Sequence, residues 1–453
     1  MPRIDTVHAR EVFDSRGKPT VEVEIGCVGS RRPSRAIVPS GASTGALEAR
    51  ELRDGDSQRL DGSGVLRAVE NVNGPIAASL HGRDADDQEG IDSILCQLDG
   101  TPDKSRLGAN AVLGASLATA HAAADAKGVW LVEHLLDLWR RIPLSLTPNA
   151  ASQGRIPLLG ERLILPLPMV NMISGGLHAG GNLSFQDFLV IATGANSLRQ
   201  ALEWTIAIYR NLGIVLEAGG YEGVLVGDEG GYGPRMTSNF DALRSVVRAI
   251  ERAGLRPGED VHVALDAASS HFYADGVYRV EGDCEGPLQS GEMIGLLEEW
   301  TDQYPIISIE DGLAEEDWAG WKLLTQRLGA RVQLIGDDLF VTHTKRIEQG
   351  ITDKVANSVL IKPNQVGTLS ETLAAIRMTL DAGYRPVISA RSGETEDTTI
   401  ADLAVATAAG QIKIGSVARS ERLAKYNQLL RLEEMLGDQA LWLGGEIFAN
   451  LRD

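Results

Sequence analysis

Three short apolar runs of the chain, each typical of a buried strand, end on a carboxylate: Asp266, Glu310 and Asp337. A buried strand gains nothing from ending on a charge, so these acids are candidates for chemistry. In a β/α barrel the C-terminal ends of successive strands meet at one mouth, where catalytic groups gather. Three carboxylates converging there repel one another unless a cation lies between them, and oxygen-only ligands favour Mg²⁺ over Zn²⁺. Taken singly, each acid could instead cap a helix or form a surface ion pair.

Basic groups end the following strands: Lys362, then Arg391 with Ser392, then Lys413. Burial and nearby positive charge can lower the pKa of a lysine, which would suit Lys362 to take a proton, although it could simply neutralise the acids. A guanidinium, a hydroxyl and an ammonium together describe a pocket for phosphate or carboxylate. These residues therefore predict a small anionic substrate.

Two glycine-rich segments could border the same mouth. Residues 227–231 form a tight loop that presents two acids, one of them Glu229, and a plain turn is the alternative. Residues 40–45 have no apolar anchor and are either a surface loop or a mobile lid over a site. The chain contains no GxxxxGK[ST] pattern, so neither segment is a phosphate-cradling P-loop.

The elements that would position these groups alternate between strand and helix. Two strands, residues 165–172 and 185–191, are joined by a glycine-rich turn that carries His178. Helical patterns follow at 197–217 and 239–253, and then come six strand-helix repeats with strand ends near 266, 310, 337, 362, 390 and 414. This order predicts a closed eight-stranded β/α barrel whose first hairpin and two helices depart from strict alternation.

The length of 453 residues exceeds one typical domain, so we expect two. Residues 1–140 are predicted to form a smaller domain that contains a hairpin of strands 7–13 and 20–28. Residues 141–162 are interrupted by prolines and are taken as the connection. Residues 163–453 are predicted to form the barrel domain.

Composition narrows the class of protein. The net charge of −19 opposes binding to nucleic acid, which requires a basic surface. No run of about 18 apolar residues occurs, so we expect no membrane span. The N-terminus lacks the apolar core of a signal peptide, and the three cysteines lie far apart without a CxxC pair. Together these features predict a cytoplasmic protein with reduced thiols.

Eight motifs, spread over nearly the whole chain, resemble those of the enolases, the family of 2-phosphoglycerate dehydratases of glycolysis. They are Ser40-Gly41-Ala42-Ser43-Thr44, Gly227-Asp228-Glu229-Gly230-Gly231, Ser308-Ile309-Glu310-Asp311, Gly336-Asp337-Asp338-Leu339, Lys362-Pro363-Asn364-Gln365, Arg391-Ser392-Gly393-Glu394-Thr395-Glu396-Asp397, Gly410-Gln411-Ile412-Lys413 and Ala418-Arg419-Ser420-Glu421-Arg422-Leu423-Ala424-Lys425.

The resemblance implies a ββαα(βα)₆ barrel capped by an N-terminal α+β domain, two Mg²⁺ ions per site, and a homodimer or larger homo-oligomer. The residues that match the ligands of the first ion are Asp266, Glu310 and Asp337, and Ser43 on the mobile loop matches a ligand of the second. Lys362 matches the base that removes the α proton, and Glu229 an acid that helps the β-hydroxyl depart. The residues that match positions around the substrate are His178, Arg391, Ser392 and Lys413.

Two residues depart from the family pattern. Asp187 stands where the family usually has glutamate, one methylene longer, and could still act as a catalytic acid through a bridging water. Ala390 stands where the family usually has histidine, and the lost donor would cost on the order of 1–3 kcal/mol of binding or transition-state stabilisation. The connection at 141–162 is also longer than usual, which suggests a surface insertion.

Three hypotheses follow from this pattern. The first is Mg²⁺-dependent interconversion of 2-phosphoglycerate and phosphoenolpyruvate, because the base, the first-ion ligands and Ser43 are all present. The second is a diverged homologue that acts on a related phospho- or phosphono-carboxylate, which Asp187 and Ala390 suggest. The third is a non-catalytic, enolase-like binding protein, which would be expected to have lost metal ligands.

Overall fold

A computed structural model describes residues 1–41, 45, 47–143 and 162–451 of the chain. Ser43 and most of the predicted connection at 141–162 lie outside the described residues. The expected bounds of the two domains and the suggested insertion therefore stay predictions.

The N-terminal domain begins with a three-stranded antiparallel sheet. Its strands are β1 (Ile4–Phe13), β2 (Pro19–Cys27) and β3 (Ser34–Ile37), in that order. The turn between β1 and β2 is closed by Asp14, whose Oδ1 accepts the backbone N–H groups of Arg16 at 2.8 Å and Lys18 at 2.9 Å. The predicted hairpin is confirmed.

Five helices follow this sheet in the chain: α1 (Leu66–Asn71), α2 (Ala77–Leu80), α3 (Gln88–Asp99), α4 (Ala109–Lys127) and α5 (Leu131–Arg141). A π-helical turn at Val72–Ile76 separates α1 from α2. Pro75 lies in that turn and lacks the N–H that a regular helix would need there. The alanine-rich α4 is almost wholly buried and packs against β2, as its small side chains allow.

The second part of the chain alternates strands and helices. Its strands are β4 (Ile164–Leu165), β5 (Leu167–Ser174), β6 (Asp187–Ile191), β7 (His262–Asp266), β8 (Tyr273–Ala274), β9 (Val277–Tyr278), β10 (Ile306–Glu310), β11 (Gln333–Gly336), β12 (Ser358–Ile361), β13 (Arg385–Ser389), β14 (Gln411–Gly415) and β15 (Leu441–Trp442). Its helices are α6 (Leu198–Ala218), α7 (Asn239–Arg252), α8 (Ser290–Gln303), α9 (Trp318–Leu328), α10 (Thr344–Asp353), α11 (Pro363–Val366), α12 (Leu369–Asp381), α13 (Thr399–Ala406) and α14 (Ser420–Leu436).

Eight of these strands close into a barrel in the order β5, β6, β7, β10, β11, β12, β13 and β14. Strand β6 is antiparallel to both neighbours, and the other neighbouring pairs are parallel. Helices α6 and α7 follow the first two strands, and each later barrel strand is followed by a helix. The predicted ββαα(βα)₆ barrel is confirmed.

Apolar side chains fill the floor of the barrel. The buried residues that form this floor are Leu167, Met169, Leu189, Ile191, Ala264, Ile335, Leu360, Val387, Ile447 and Phe448. The last two come from the C-terminal 3-10 turn Gly444–Phe448, which closes the barrel from below. Because the floor is packed, a site with open space is expected at the opposite end of the barrel.

The N-terminal domain rests on that opposite end. Ser40 and Gly393 exchange backbone hydrogen bonds of 2.8 and 2.9 Å. Oδ2 of Asp92 accepts the backbone N–H of Ser370 at 2.9 Å. The first contact places Ser40 beside Gly393, in the loop that follows β13 at the barrel mouth. Among the described residues, no helix is long and apolar enough to cross a membrane.

The buried carboxyl group of Asp402 on α13 predicts a pH-dependent stability. Burial raises the pKa of Asp402 to about 7, against 3.8 for an exposed aspartate. The unfolded chain therefore ionises Asp402 from about pH 4 while the folded chain keeps it protonated, so this residue lowers stability as the pH rises from about 4 to about 7. We expect Asp402→Asn to reduce this loss of unfolding free energy by on the order of 1–4 kcal/mol.

Urea denaturation at several pH values measures this effect. Asp275→Asn, which changes an exposed aspartate, is the matched control and should follow the parent protein. A parallel pH dependence of the parent and Asp402→Asn would contradict the assignment.

Candidate active site

Asp266, Glu310 and Asp337 lie side by side at the mouth of the barrel. Asp266 ends β7, Glu310 ends β10, and Asp337 directly follows β11. Glu310 is in register with Asp266 on one neighbouring strand and with Ile335 on the other. All three side chains are buried. The structure thus brings together the three acids that the sequence singled out.

A polar layer separates these acids from the apolar floor. Nε2 of Gln333 donates to Oγ of Ser308 at 3.2 Å and to Oε1 of Gln411 at 3.1 Å. Side chains two residues apart on a strand share a face, so Glu310 and Lys413 point inward one layer above Ser308 and Gln411. The barrel interior therefore passes from apolar to polar to charged groups toward its mouth.

Lys413 holds two of the acids together. Its Nζ donates to Oδ2 of Asp266 and to Oε2 of Glu310, at 2.7 Å each. Burial would raise the pKa of Asp266, but the ammonium outweighs burial and lowers that pKa. The pKa of Glu310 stays well above its usual value, because burial and the Asp266 carboxylate together outweigh the same ammonium. One ammonium therefore supplies too little positive charge for both carboxylates.

Lys362 follows β12 and pairs with Asp337 through a close contact between Nζ and Oδ2. Nε2 of Gln365 donates to the other oxygen of Asp337 at 3.0 Å. Burial lowers the pKa of Lys362, but the carboxylates around it, Asp337 first and then Glu310, together raise it above its usual value. This differs from the lowered pKa that we expected, so Lys362 can accept a proton only after this ion pair is broken and its ammonium has lost a proton.

His178, Asp187 and Glu229 form a second buried cluster, on the side of the mouth opposite Lys362. His178 lies in the 3-10 turn Gly176–Ala179 between β5 and β6, and β6 is four strands away from β12 in either direction. Nδ1 of His178 donates to Oδ2 of Asp187 at 3.0 Å, and Nε2 lies 4.0 Å from Oε1 of Glu229. Burial lowers the pKa of His178, but the two carboxylates outweigh it and raise the pKa to about 9. The imidazole therefore carries positive charge at neutral pH.

The loop that carries Glu229 is held by its backbone. The carbonyl oxygen of Glu229 accepts the N–H of Ser416 at 2.9 Å, and the carbonyl oxygen of His178 accepts the N–H of Asp228 at 3.0 Å. Gly230 has a φ of +86°, and a Cβ there would lie 2.6 Å from the carbonyl oxygen of Ala418. Glycine is thus required for the loop to pack this closely, which favours a site loop over a plain surface turn.

Arg391 and Ser392 follow β13 and meet the N-terminal domain. Nη1 of Arg391 donates to Oε2 of Glu48 and to Oδ1 of Asn364, at 2.9 Å each. Nη1 of Arg16 donates to Oγ of Ser392 at 3.3 Å. Because Glu48 and Arg16 belong to the N-terminal domain, that domain completes the site as well as covering it.

One cavity at the mouth gathers most of the predicted residues. Those that line it are His178, Glu229, Glu310, Lys362, Arg391, Ser392 and Lys413, and Gln186 and Ala390 line it as well. The remaining three are not among the lining residues, but each contacts one of them: Asp187 contacts His178, Asp266 contacts Lys413, and Asp337 contacts Lys362. Ser43 lies outside the described residues, so its place stays a prediction.

Asp311 supports the loop that carries Asp337. Its carboxylate accepts the backbone N–H groups of Asp337 at 2.9 Å and Asp338 at 2.8 Å. Carboxylate oxygens of these three residues lie within 4.8 Å of one another, close enough to hold a metal ion. Both oxygens of Asp311 already accept hydrogen bonds from backbone N–H groups, so its role in this structure is to orient Asp337 and Asp338.

Sequence reasoning gave no role to Glu48, Arg16, Asn171, Asn364 or Gln365. Asn364 and Gln365 lie two and three residues after Lys362 in the chain, and their place in the same motif was the available signal. Glu48 carries no such signal, because it meets Arg391 across 343 residues of chain. Only the packing of the two domains reveals this pair.

Comparison with known families covers nearly the whole described chain. Residues 4–135 match the family model described as "Enolase, N-terminal domain", and residues 162–451 match "Enolase, C-terminal TIM barrel domain". The two matches follow the two-part fold and include every predicted site residue. The chain therefore belongs to the enolase family.

Proposed function

We propose that this member of the enolase family is a lyase that dehydrates 2-phosphoglycerate to phosphoenolpyruvate and catalyses the reverse reaction, with Mg²⁺. The observation that carries the proposal is a single cavity in which Lys362 faces His178 and Glu229 across the barrel mouth, with the acidic layer between them. A base on one side and an acid cluster on the other suit removal of an α proton and departure of a β-hydroxyl.

The residues present fit Mg²⁺. Asp266, Glu310 and Asp337 offer only carboxylate oxygens, which suit this hard ion. The raised pKa of Glu310, which the ammonium of Lys413 does not offset, supports a further cation beside these acids. When bound by these residues, Mg²⁺ would neutralise them and stabilise the doubled negative charge that forms on the substrate carboxylate. The second ion and its ligand Ser43 remain part of the proposal.

Lys362 is the proposed base. Its Nζ takes the α proton once the contact with Asp337 is broken, and Gln365 holds the Asp337 carboxylate in place meanwhile. Burial keeps water away from this nitrogen, because its side chain is only 13% exposed. The electron pair left on the α carbon then forms the new double bond.

Three cationic or polar groups hold the substrate's anionic ends. Arg391, Ser392 and Lys413 line the cavity and can donate to phosphate or carboxylate oxygens. Glu48 and Asn364 fix the guanidinium of Arg391 in place. On the other side, Glu229 and His178 meet the departing hydroxyl.

A second candidate function is the same elimination on a related phospho- or phosphono-carboxylate. Ala390 favours it, because this small residue lines the cavity where the family usually has histidine. A substrate with a different acidic group could use that space. With either function we propose a homodimer or larger homo-oligomer. We also propose a cytoplasmic location, which is supported by the three cysteines, since none of them forms a disulfide.

Formation of phosphoenolpyruvate from 2-phosphoglycerate by the pure protein at millimolar Mg²⁺ tests the first function. We expect product formation that stops when the ion is chelated. Exchange of the substrate α proton in D₂O without product would favour the second function. Neither exchange nor product, with Mg²⁺ bound, would support a non-catalytic binding protein.

Glu310→Gln tests the proposed ion site. Removing one of three carboxylates should weaken Mg²⁺ binding at least about tenfold, as measured by isothermal titration calorimetry. Glu316→Gln changes an exposed glutamate six residues away and should bind like the parent. Equal affinity of Glu310→Gln and the parent would place the ion elsewhere.

Lys362→Met tests the proposed base. We expect both α-proton exchange and dehydration to fall about 10²–10⁴-fold, because the proton acceptor is gone. NMR in D₂O follows the exchange, and Lys322→Met, an exposed lysine of α9, provides the control. Exchange at the parent rate in Lys362→Met would rule out this base.

Ala390→His tests the choice between the two substrates. If the parent lacks only this donor, kcat/KM for 2-phosphoglycerate should rise by roughly tenfold, equivalent to about 1.4 kcal/mol. Ala374→His on α12, outside the cavity, controls for adding an imidazole. An unchanged or lower kcat/KM would indicate that the pocket is built for another substrate.

A further inference from the structure

We propose that Asp187 is a positioning residue: it holds the ring of His178 so that Nε2 of His178 faces Glu229 and the oxygen that leaves the substrate. The inference rests on the proposed dehydration and deepens it. It assigns Asp187 a role different from the direct catalytic one that its place in the sequence suggested.

Both oxygens of Asp187 are already engaged. Oδ2 accepts the hydrogen bond from Nδ1 of His178 at 3.0 Å, and Oδ1 accepts a close one from Nδ2 of Asn171. Asn171 is itself anchored, since its Nδ2 also donates to Oγ of Ser174 at 3.0 Å. Asp187 is 0% exposed and is not among the residues that line the cavity, whereas His178 and Glu229 are.

The backbone prevents Asp187 from reaching further. It is the first residue of β6 and is paired with Ser174 on one side and with Asp266 on the other. A strand fixed on both edges holds its Cα in place, and the side chain has only one methylene. Its carboxylate therefore contacts Nδ1 of His178 and does not reach the cavity.

This arrangement fixes the role of each ring nitrogen of His178. Nδ1 is tied to Asp187, so Nε2 is the nitrogen left to face Glu229 and the cavity. The two flanking carboxylates raise the pKa of the ring to about 9, so Nε2 carries a proton at neutral pH.

The proton balance of the elimination is then complete. The bond between the β carbon and the hydroxyl oxygen breaks with its electron pair on oxygen, and the Nε2 proton of His178 joins that oxygen to give water. The α proton moves to Lys362, whose ammonium must first have lost a proton to solvent, and the former bonding pair becomes the carbon–carbon double bond. Glu229 stabilises the charged ring until the proton leaves.

Asp187→Asn in the full-length protein tests the proposal. An amide at this position can offer an N–H to the ring, which would favour the wrong tautomer of His178. We expect kcat for dehydration to fall about 10²–10⁴-fold while KM changes less than about threefold. Exchange of the α proton should persist, because Lys362 is untouched. Asp402→Asn, a buried aspartate of the outer helix α13, is the matched control and should keep parent kcat.

Two further measurements separate positioning from a merely structural role. In ¹⁵N NMR spectra of histidine-labelled protein, the charged His178 ring of the parent should carry protons on both nitrogens, and Nδ1 should lose its proton in Asp187→Asn. The double variant His178→Gln/Asp187→Asn should be no slower than His178→Gln alone, because Asp187 acts only through that ring.

Several results would overturn the proposal. They are loss of α-proton exchange in Asp187→Asn as severe as the loss of dehydration, an unprotonated Nδ1 in the parent, or multiplying effects in the double variant. If the parent protein itself neither exchanges the α proton nor forms product, the proposed function fails. The ¹⁵N spectra then still decide whether Asp187 holds Nδ1.

Discussion

The rest of the site depends on the ion pairs that the ammonium of Lys413 forms with Asp266 and Glu310. Two buried carboxylates on neighbouring strands cannot both stay ionised without a cation between them. Lys413 satisfies Asp266 but leaves the pKa of Glu310 well above its usual value. At the ends of the next two strands, β11 and β12, Lys362 forms an ion pair with Asp337 in the same way. The mouth is therefore a place where lysines and a divalent ion would compete for the same oxygens. On the proposed function, Asp266, Glu310 and Asp337 would hold the ion, Lys413 would hold the substrate, and Lys362 would act as the base.

The fold makes this concentration of charge tolerable. Apolar residues close the barrel floor, and Ser308, Gln333 and Gln411 form a hydrogen-bonded layer above it. Charged groups occupy the next layer, where alternate residues of the same strands point inward. The N-terminal domain then covers the mouth and contributes Glu48 and Arg16 to the arginine and serine that follow β13. The packed apolar residues thus lie at one end of the barrel axis, and the charged residues of the candidate site lie at the other.

Much of this arrangement could be predicted from the sequence, since apolar runs that end on charged residues mark both the strands and the mouth. Asp266, Glu310 and Lys362 illustrate this, because each lies at the strand end where it was expected. Side-chain pairing could not be predicted. Lys413 was expected beside the substrate, and its contact with two acids depends on the closure of β14 onto β5 and on the inward direction of its side chain. Glu48 was missed because its partner is distant in the chain. Asp187 was expected to act as an acid, if need be through a bridging water, and its hydrogen bond with His178 could not be predicted because it depends on the pairing of β6 with both neighbours.

The central claim is that the three strand-end acids form a cation site that Lys413 and Lys362 balance incompletely. A crystal structure of the protein with Mn²⁺, located by its anomalous scattering, tests this most directly. We predict a metal peak among the carboxylates of Asp266, Glu310 and Asp337, with Nζ of Lys413 moved away from at least one of its two acids. A peak elsewhere, or none while Lys413 keeps both 2.7 Å contacts, would contradict the claim.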